Sequence, residues 1–472
     1  MALRRRGPKQ EGMWLASTRV AAAPGHRFYE KLNELLKKHE FDRQVEDLCV
    51  PFYKEEGTVG RPSVPPGTYF RMLLIGYFEG IESERGICWR CSDSLSLRSF
   101  LGLAMTESVP DQSTLSRIRK RLPKELFEQV FKIVLTMVAS EGLLKGKVAG
   151  VDSTYLRADA SMKSIVRRDS GEQYADYIRS LAEAEEGEGA TAEDATRLDR
   201  KRSKKTSNAE WKSSTDEDAR IARLKDGRTR LAYKAEHVVD LETDAIIDAK
   251  VHLADVADAA TLVDAAERAR ERIEHARDDD DDDNNPTAST SRISLPASPV
   301  IEIVADKGYH KAIVIRELTD KGFRTFLPER KQSGQRRWTN KGGQLTADAF
   351  HANRARTRRA KGRARQRLRG EHLERSFAFA CETGAMRRVR LRGTDNVSKR
   401  WVIHAAAQNL GLVMRNRFGY GTPRGLAAAL AAVLAYVFAL TDAIVRAVGF
   451  EAQVAHHQLG SRSQSTIIGY AR

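Results

Sequence analysis

Cysteine is scarce, with only Cys49, Cys88, Cys91 and Cys381 in 472 residues. That is too few to staple a chain of this size and suits a reducing compartment. Cys88 and Cys91 form a lone CxxC. With no second pair and no histidine partners it argues for neither zinc nor thioredoxin-like redox chemistry, and it reads as two ordinary helical cysteines. Long apolar runs are equally rare. The uncharged stretch from Gly425 to Thr441 stands at the lower length limit for a bilayer span, but it is alanine-rich, so a helix packed against the protein is expected there and no membrane span is counted. The N-terminal MALRRRGPKQEGMWLASTRV lacks the continuous apolar segment of a secretory signal, which makes the cytoplasm the expected location. Acids are also in deficit. Lysine and arginine number 80 against 64 aspartates and glutamates, a formal charge of +16, so a polyanion, nucleic acid first of all, is the expected partner.

The length implies two or three domains, or one with large insertions. From His26 to about Lys145 apolar residues recur at three- and four-residue spacing, predicting an all-α N-terminal domain over 1–146. In its PDQSTLSRIRKRL segment Asp111 can cap a helix whose buried stripe is Leu115, Ile118 and Leu122. Gln112, Ser113 and Thr114 fill the first turn, with Arg117, Arg119, Lys120 and Arg121 crowding the rest of the surface. This reads equally as a recognition helix for a DNA major groove and as a basic amphipathic surface helix.

At Lys147 the pattern changes to short β-branched runs. VAGVDSTYL predicts a strand leading to Asp152, AYKAEHVVDLETDAIIDAKVHLA two strands about a turn, and DAATLVDAAERARERIEHA an amphipathic helix. PVIEIVADKGYH predicts a strand ending at Asp306, followed by the helix KAIVIRELTDKG and the strand FRTFLP. The expectation is an α/β core over 147–415, a mixed sheet flanked by helices, with charged insertions near 157–228, 277–297 and 331–366 and a helical tail over 416–472. The aspartate run Asp278 to Asp283 reads as a solvated loop rather than a metal site, because like charges repel without a fixed geometry. Between Glu329 and Gly370 the chain is strongly basic. Arg354, Arg356, Arg358 and Arg359 head a series of cations suited to sequence-independent phosphate contact, the alternative being a merely soluble basic loop.

Three carboxylates stand out by position. Asp152 and Asp306 end strands, and the carboxyl ends of strands open onto the ligand crevice of an α/β sheet. Glu374 lies on a helix, RGEHLERSFAFAC, beside the packing face of Leu373, Phe377 and Cys381. Three acids can bridge a pair of hard divalent ions in phosphodiester chemistry. Spacing alone does not single out this triple among 64 acids.

Several ordered motifs together resemble transposases of bacterial insertion sequences, of the RNase H-like DDE class, on the branch with a helical N-terminal domain. RPSVPPGTYFRMLLIGYFEGIESERGICWRCSDSLSLRSFLGL with PDQSTLSRIRKRLP resembles that domain. GVDSTYLRADAS and VADKGYH resemble the two aspartate motifs, and HLERSFAFACETGAMRRVRLRG, KRWVIHAAAQNLGLVMR and GTPRG the glutamate block and its tail. The resemblance implies an RNase H-like fold, two Mg2+ or Mn2+ ions on Asp152, Asp306 and Glu374, and cleavage and strand transfer at terminal inverted repeats, with a homodimer joining two ends to target DNA. Glu371, one turn before Glu374, is a rival, but Glu374 with Arg375, Ser376 and Phe377 fits the motif. Gly370 and Cys381 stand where many relatives carry Arg and Lys, leaving Arg369 or Arg375 as substitutes. An RNase H-like nuclease that never joins ends, and a non-catalytic DNA-binding regulator, are the alternative readings.

Overall fold

The computed structural model describes residues 26–54, 63–104, 106–187, 190–202, 206–278, 302–330, 338, 343–428 and 430–441. Seven helices come first: α1 (Arg27–Lys38), α2 (Phe41–Cys49), α3 (Pro66–Phe78), α4 (Glu84–Asp93), α5 (Leu95–Phe100), α6 (Gln112–Arg121) and α7 (Lys124–Ser140). In α1 the spacing of Phe28, Leu32, Leu35 and Leu36 makes one buried face, whereas every residue of α3 is buried, so α3 is the axis of the helical part. Arg71 on α3 is tolerated there because Asp42 takes it through Nε at 2.8 Å and Nη2 at 3.0 Å, while Asn33 and the Phe100 carbonyl accept from Nη1. Cys88 and Cys91 lie on α4 as free thiols, and burial pushes them up to about 11 and about 12.

The rest of the chain gives β1 (Val148–Arg157), β2 (Ile165–Arg167), α8 (Tyr174–Glu186), α9 (Ala192–Lys201), β3 (Trp211–Ser213), β4 (Arg220–Arg223), β5 (Thr229–Asp240), β6 (Ile246–Leu253), α10 (Asp258–Asp278), β7 (Glu302–Ala305), α11 (Ala312–Asp320), β8 (Arg324–Phe326), α12 (Gly343–Arg358), α13 (Ala360–Ala378) and α14 (Thr394–Phe418). The main sheet is mixed, as expected. β5 lies antiparallel to β1 on one side and to β4 and β6 on the other, while β7 is parallel to β1 and β8 is parallel to β7. Helices cover both faces. α10 meets the face of Ser153 and Glu236, and α13 and α14 meet the face of Gly150 and His237. One continuous apolar core joins α1–α7 to this sheet and to α14.

Between β1 and β5, the charged stretch is a small unit of its own. β2 pairs with β3, and buried Trp211 meets Tyr174, Tyr177 and the Arg167 guanidinium. The acidic run beyond Asp278 and the segment 331–337 lie outside the described residues.

Three expectations change. The basic stretch, expected as a charged insertion near 331–366, is from Gly343 onward α12 and α13, two helices packed into the core through Phe350, Asn353 and Leu373. Arg119 and Arg121 do not join the free surface of α6. Arg119 binds Glu84 and Asn396, and Arg121 lies over the Tyr53 ring, because α6 packs against α4 on one side and meets α14 on the other. The alanine-rich stretch is helical over Leu430–Thr441, but it is not packed down. Leu430, Val433, Leu434, Tyr436, Val437, Phe438 and Leu440 stay largely exposed, since no other described element reaches them. Among the described residues no single helix is long and apolar enough to cross a membrane.

Candidate active site

β1 and β7 run side by side with Val151 opposite Ala305, so the next residues, Asp152 and Asp306, adjoin. Their settings differ. β7 stops at Ala305, and Asp306 turns the chain into a short helical turn, its Oδ1 accepting from Gly308 N. Gly308 leaves room for both carboxylates here: a Cβ would come within 2.7 Å of Asp306 Oδ1 and Asp258 Oδ2 and would make them shift. Asp152, by contrast, is not at a strand end. β1 continues to Arg157 because the long strand β5 pairs with it as far as Ala232, leaving Asp152 in mid-strand opposite His237.

Asp152 Oδ1 accepts from Ser153 N at 2.8 Å, and Oδ2 accepts from Arg369 Nη1 at 2.6 Å. Burial raises the Asp152 carboxyl above its ordinary range, Arg369 pulls it back down, and the neighbouring Asp306 charge adds to the rise. Of the two cations offered as substitutes, Arg369 is therefore at the aspartates. Arg375 is turned away, held by Asp244 and Glu371.

α13 crosses the sheet over these strands. Gln366 Nε2 donates to the carbonyls of Ala305 and Phe326, Leu373 packs on Gly150, and Ser376 Oγ lies 2.5 Å from His237 Nδ1. His237 is sandwiched between Phe377 and Trp401, and burial holds its ring down at about 3, so it stays neutral. Glu374, one residue beyond Leu373, is exposed and has no hydrogen bond or ion pair among the described residues, whereas Glu371 is paired with Arg375. Among the described residues no group of three His, Cys, Asp or Glu side chains is close enough to hold a metal ion. The structure thus brings Asp152 and Asp306 together and leaves Glu374 on the rim.

Behind the aspartates lies a layer that sequence reasoning missed. Buried Lys234 binds Asp258 Oδ1 at 2.6 Å and the Val256 carbonyl at 2.7 Å, and Ser153 Oγ donates to the same Asp258 oxygen. Buried Glu236 accepts from Thr261 and Tyr309. The signal was present in AYKAEH, where Lys234 and Glu236 alternate inside an otherwise apolar β run, a pattern that demands buried partners.

The surface candidates are scattered more widely. On α6, Asp111 caps the helix by accepting from Thr114 N at 2.7 Å, Leu115 and Ile118 are buried, and Gln112, Ser113 and Arg117 face outward, with Thr114 partly so. Arg117 donates to Ser113 Oγ and Thr114 Oγ1, and Arg85 Nε donates to Gln112 Oε1. On α12, Arg354 is bound to Glu329, Arg356 donates to the carbonyl and hydroxyl of Thr325, and only Arg358 and, just beyond the helix, Arg359 are fully exposed.

Residues 18–121, which include α1 to α6, match the family model described as a transposase domain, DUF772. No curated protein and no solved structure matches the chain. The match spans less than a quarter of the chain and supports a transposase role in general.

Proposed function

We propose that the chain is a DNA transposase of the DDE class, built on an RNase H-like core, that cleaves at the terminal inverted repeats of an insertion sequence and joins the ends to target DNA. The observation that carries this reading is the juxtaposition of Asp152 and Asp306 on parallel neighbours β1 and β7, in a six-stranded sheet of order β4-β5-β1-β7-β8 with β6 also paired to β5, within a chain whose first part matches a transposase domain. The antiparallel run β6, β5 and β1, followed by two parallel strands, with helices on both faces, supports that reading.

The two adjoining carboxylates are hard oxygen donors and fit Mg2+ or Mn2+. Asp152 and Asp306 would hold the ions, two being expected, and Glu374, unpaired on the rim of α13, is the carboxylate available to complete the set. Bound there, the ions would activate the attacking oxygen and stabilise the leaving one in phosphodiester cleavage. The chain's own residues do the rest. Arg369 neutralises Asp152 and offers a guanidinium to a strand arriving at the aspartates, while Gln366, Leu373 and Ser376 fix α13 over the sheet. Gln112, Ser113, Thr114 and Arg117 supply an outward polar turn for base contacts, and Arg358 and Arg359 are exposed cations for phosphates. Joining two ends requires two such centres, hence a homodimer.

The test is a labelled duplex carrying the inverted repeat that flanks the coding region, incubated with the protein and Mg2+ or Mn2+, cleaved and joined products being scored separately. Nicking at the repeat end followed by joining is expected. Cleavage without joining would leave a nuclease, and binding without either would leave a regulator.

A further inference from the structure

Beside the Asp306 turn lies a cleft of about 420 Å³ lined by Pro328, Glu329, Arg330, Arg354, Thr357 and Arg358. Three guanidinium groups face one carboxylate. Glu329 holds Arg354 at both oxygens, with Nε at 2.9 Å and Nη2 at 2.7 Å. Arg330 spends Nε on the Lys307 carbonyl at 2.8 Å and Nη2 on the Gly308 carbonyl at 2.7 Å, so the wall of the cleft is fastened to the turn that Asp306 begins. Nη1 of Arg330 has no partner among the described residues. The Arg358 side chain is exposed and has no partner among the described residues.

An excess of guanidinium charge with unused donors suits a ligand with paired anionic oxygens, and a phosphodiester presents those oxygens in a spacing that guanidinium groups match. The attachment of Arg330 to Lys307 and Gly308 also settles where such a ligand would lead. A ligand held by Arg330 is one side chain away from Lys307 and Gly308, the residues that follow Asp306. Resting on the DNA-processing reading above, we infer that this cleft receives a backbone phosphodiester of the DNA strand that runs into the Asp152–Asp306 centre, with Arg358 and Arg330 as its donors. Glu329 is the resident competitor that occupies Arg354 until DNA arrives.

The pair Glu329–Arg354 makes the inference separable from a merely structural role. If the pair only braced the fold, Glu329→Gln would weaken everything. If Glu329 competes with phosphate, Glu329→Gln releases Arg354 and tightens binding. The experiment uses the full chain, EDTA in place of divalent ions, and fluorescence anisotropy of a labelled duplex with a short single-stranded end. Arg358→Gln is expected to weaken binding about tenfold, as loss of a charge-assisted contact does, and to lower the salt slope by about 0.9, the value for one phosphate. Glu329→Gln is expected to tighten binding by about threefold, a fraction of one such contact. Both shifts should vanish on a probe whose single-stranded end has a neutral methylphosphonate backbone. Affinities unchanged within about twofold for both variants, set against the tenfold expected of a lost contact, would overturn the inference, as would weaker binding by Glu329→Gln. If inorganic phosphate displaces the probe as well as an equal phosphate concentration of unlabelled DNA does, the cleft is a free-anion site and the assignment to DNA fails. Because no turnover is read, the two readings fail separately. A chain that never cuts DNA but shows these shifts loses the transposase reading and keeps the cleft, and one that cuts without them loses the cleft alone.

Discussion

Arg369 donates from Nη1 to Asp152 Oδ2 across 2.6 Å, and one turn earlier Gln366 donates to the carbonyl of Ala305, the residue before Asp306. α13 is thereby tied to both aspartate-bearing strands. Asp152→Asn and Asp306→Asn keep the side-chain shape and leave Arg369 an oxygen to bind, so folding and DNA affinity should persist. Cleavage should fall by roughly three orders of magnitude or more, since an amide is a poor ligand for a hard ion. Cleavage of the labelled repeat end with Mg2+, alongside a binding isotherm for each variant, checks this. Cleavage close to that of the unaltered chain would remove Asp152 or Asp306 from the site.

Glu374 and Glu371 are one helical turn apart, and the structure separates their circumstances: Glu371 is bound to Arg375, and Glu374 has no partner among the described residues. Glu374→Gln should abolish cleavage and joining together while sparing DNA binding. Glu371→Gln should forfeit an exposed ion pair worth under about 1 kcal/mol and leave activity within a few-fold. The same repeat-end assay with Mg2+ and Mn2+ decides it, an active Glu374→Gln protein being the adverse result.

On α6, replacement of Gln112, Ser113 and Thr114 by Ala should reduce the preference for the terminal repeat over random DNA, because these residues stand in the first turn while the capping carboxylate of Asp111 is retained. Arg119→Ala should behave differently. It strands the largely buried Glu84 carboxylate and should cost about 3 kcal/mol of stability, with no selective loss of repeat preference. Chemical denaturation and competition binding separate the two outcomes.

Acid should destabilise the fold earlier than carboxylates alone would. His237 is held at about 3 by burial, and His404 is also pushed well below its ordinary value by burial and by Arg400. Below about pH 6.5 the unfolded chain takes up protons that these folded rings refuse. The stability these neutral rings supply is thus full above that pH and is lost below it, for His237 by roughly 1.4 kcal/mol per pH unit down to about pH 3. Glu141, depressed to about 2 chiefly by the neighbouring His39 and also by Lys38 and Arg417, stabilises the fold above the ordinary glutamate range, and that share is lost only as pH falls below it. His237→Gln should therefore about halve the slope of unfolding free energy between pH 6.5 and 5, where the two rings contribute alike. An unchanged slope in denaturant titrations at those pH values would refute it.

Local pattern was enough to read the cap and buried stripe of α6, the strand that ends before Asp306, the paired strands β5 and β6, and a helix carrying Glu374 behind a packing face at Leu373. Each follows from periodicity or capping within one segment. What the segment could not supply was its partners. VAGVDSTYL ends its apolar run at Val151, but β5 continues opposite it and extends β1 to Arg157, so Asp152 lies in mid-strand. The basic density between Glu329 and Gly370 looked uniform, yet Glu329, Thr325 and Glu302 draw in Arg354, Arg356 and Arg365, because a helix laid on a sheet must satisfy every cation it buries. Lys234, Glu236 and Asp258 acquired their meaning only when β5 met α10. Composition and periodicity determined a basic α/β chain with a helical start. Tertiary packing decided which charges were spent on the fold and which, Arg358 and Glu374 among them, stayed exposed without a side-chain partner among the described residues.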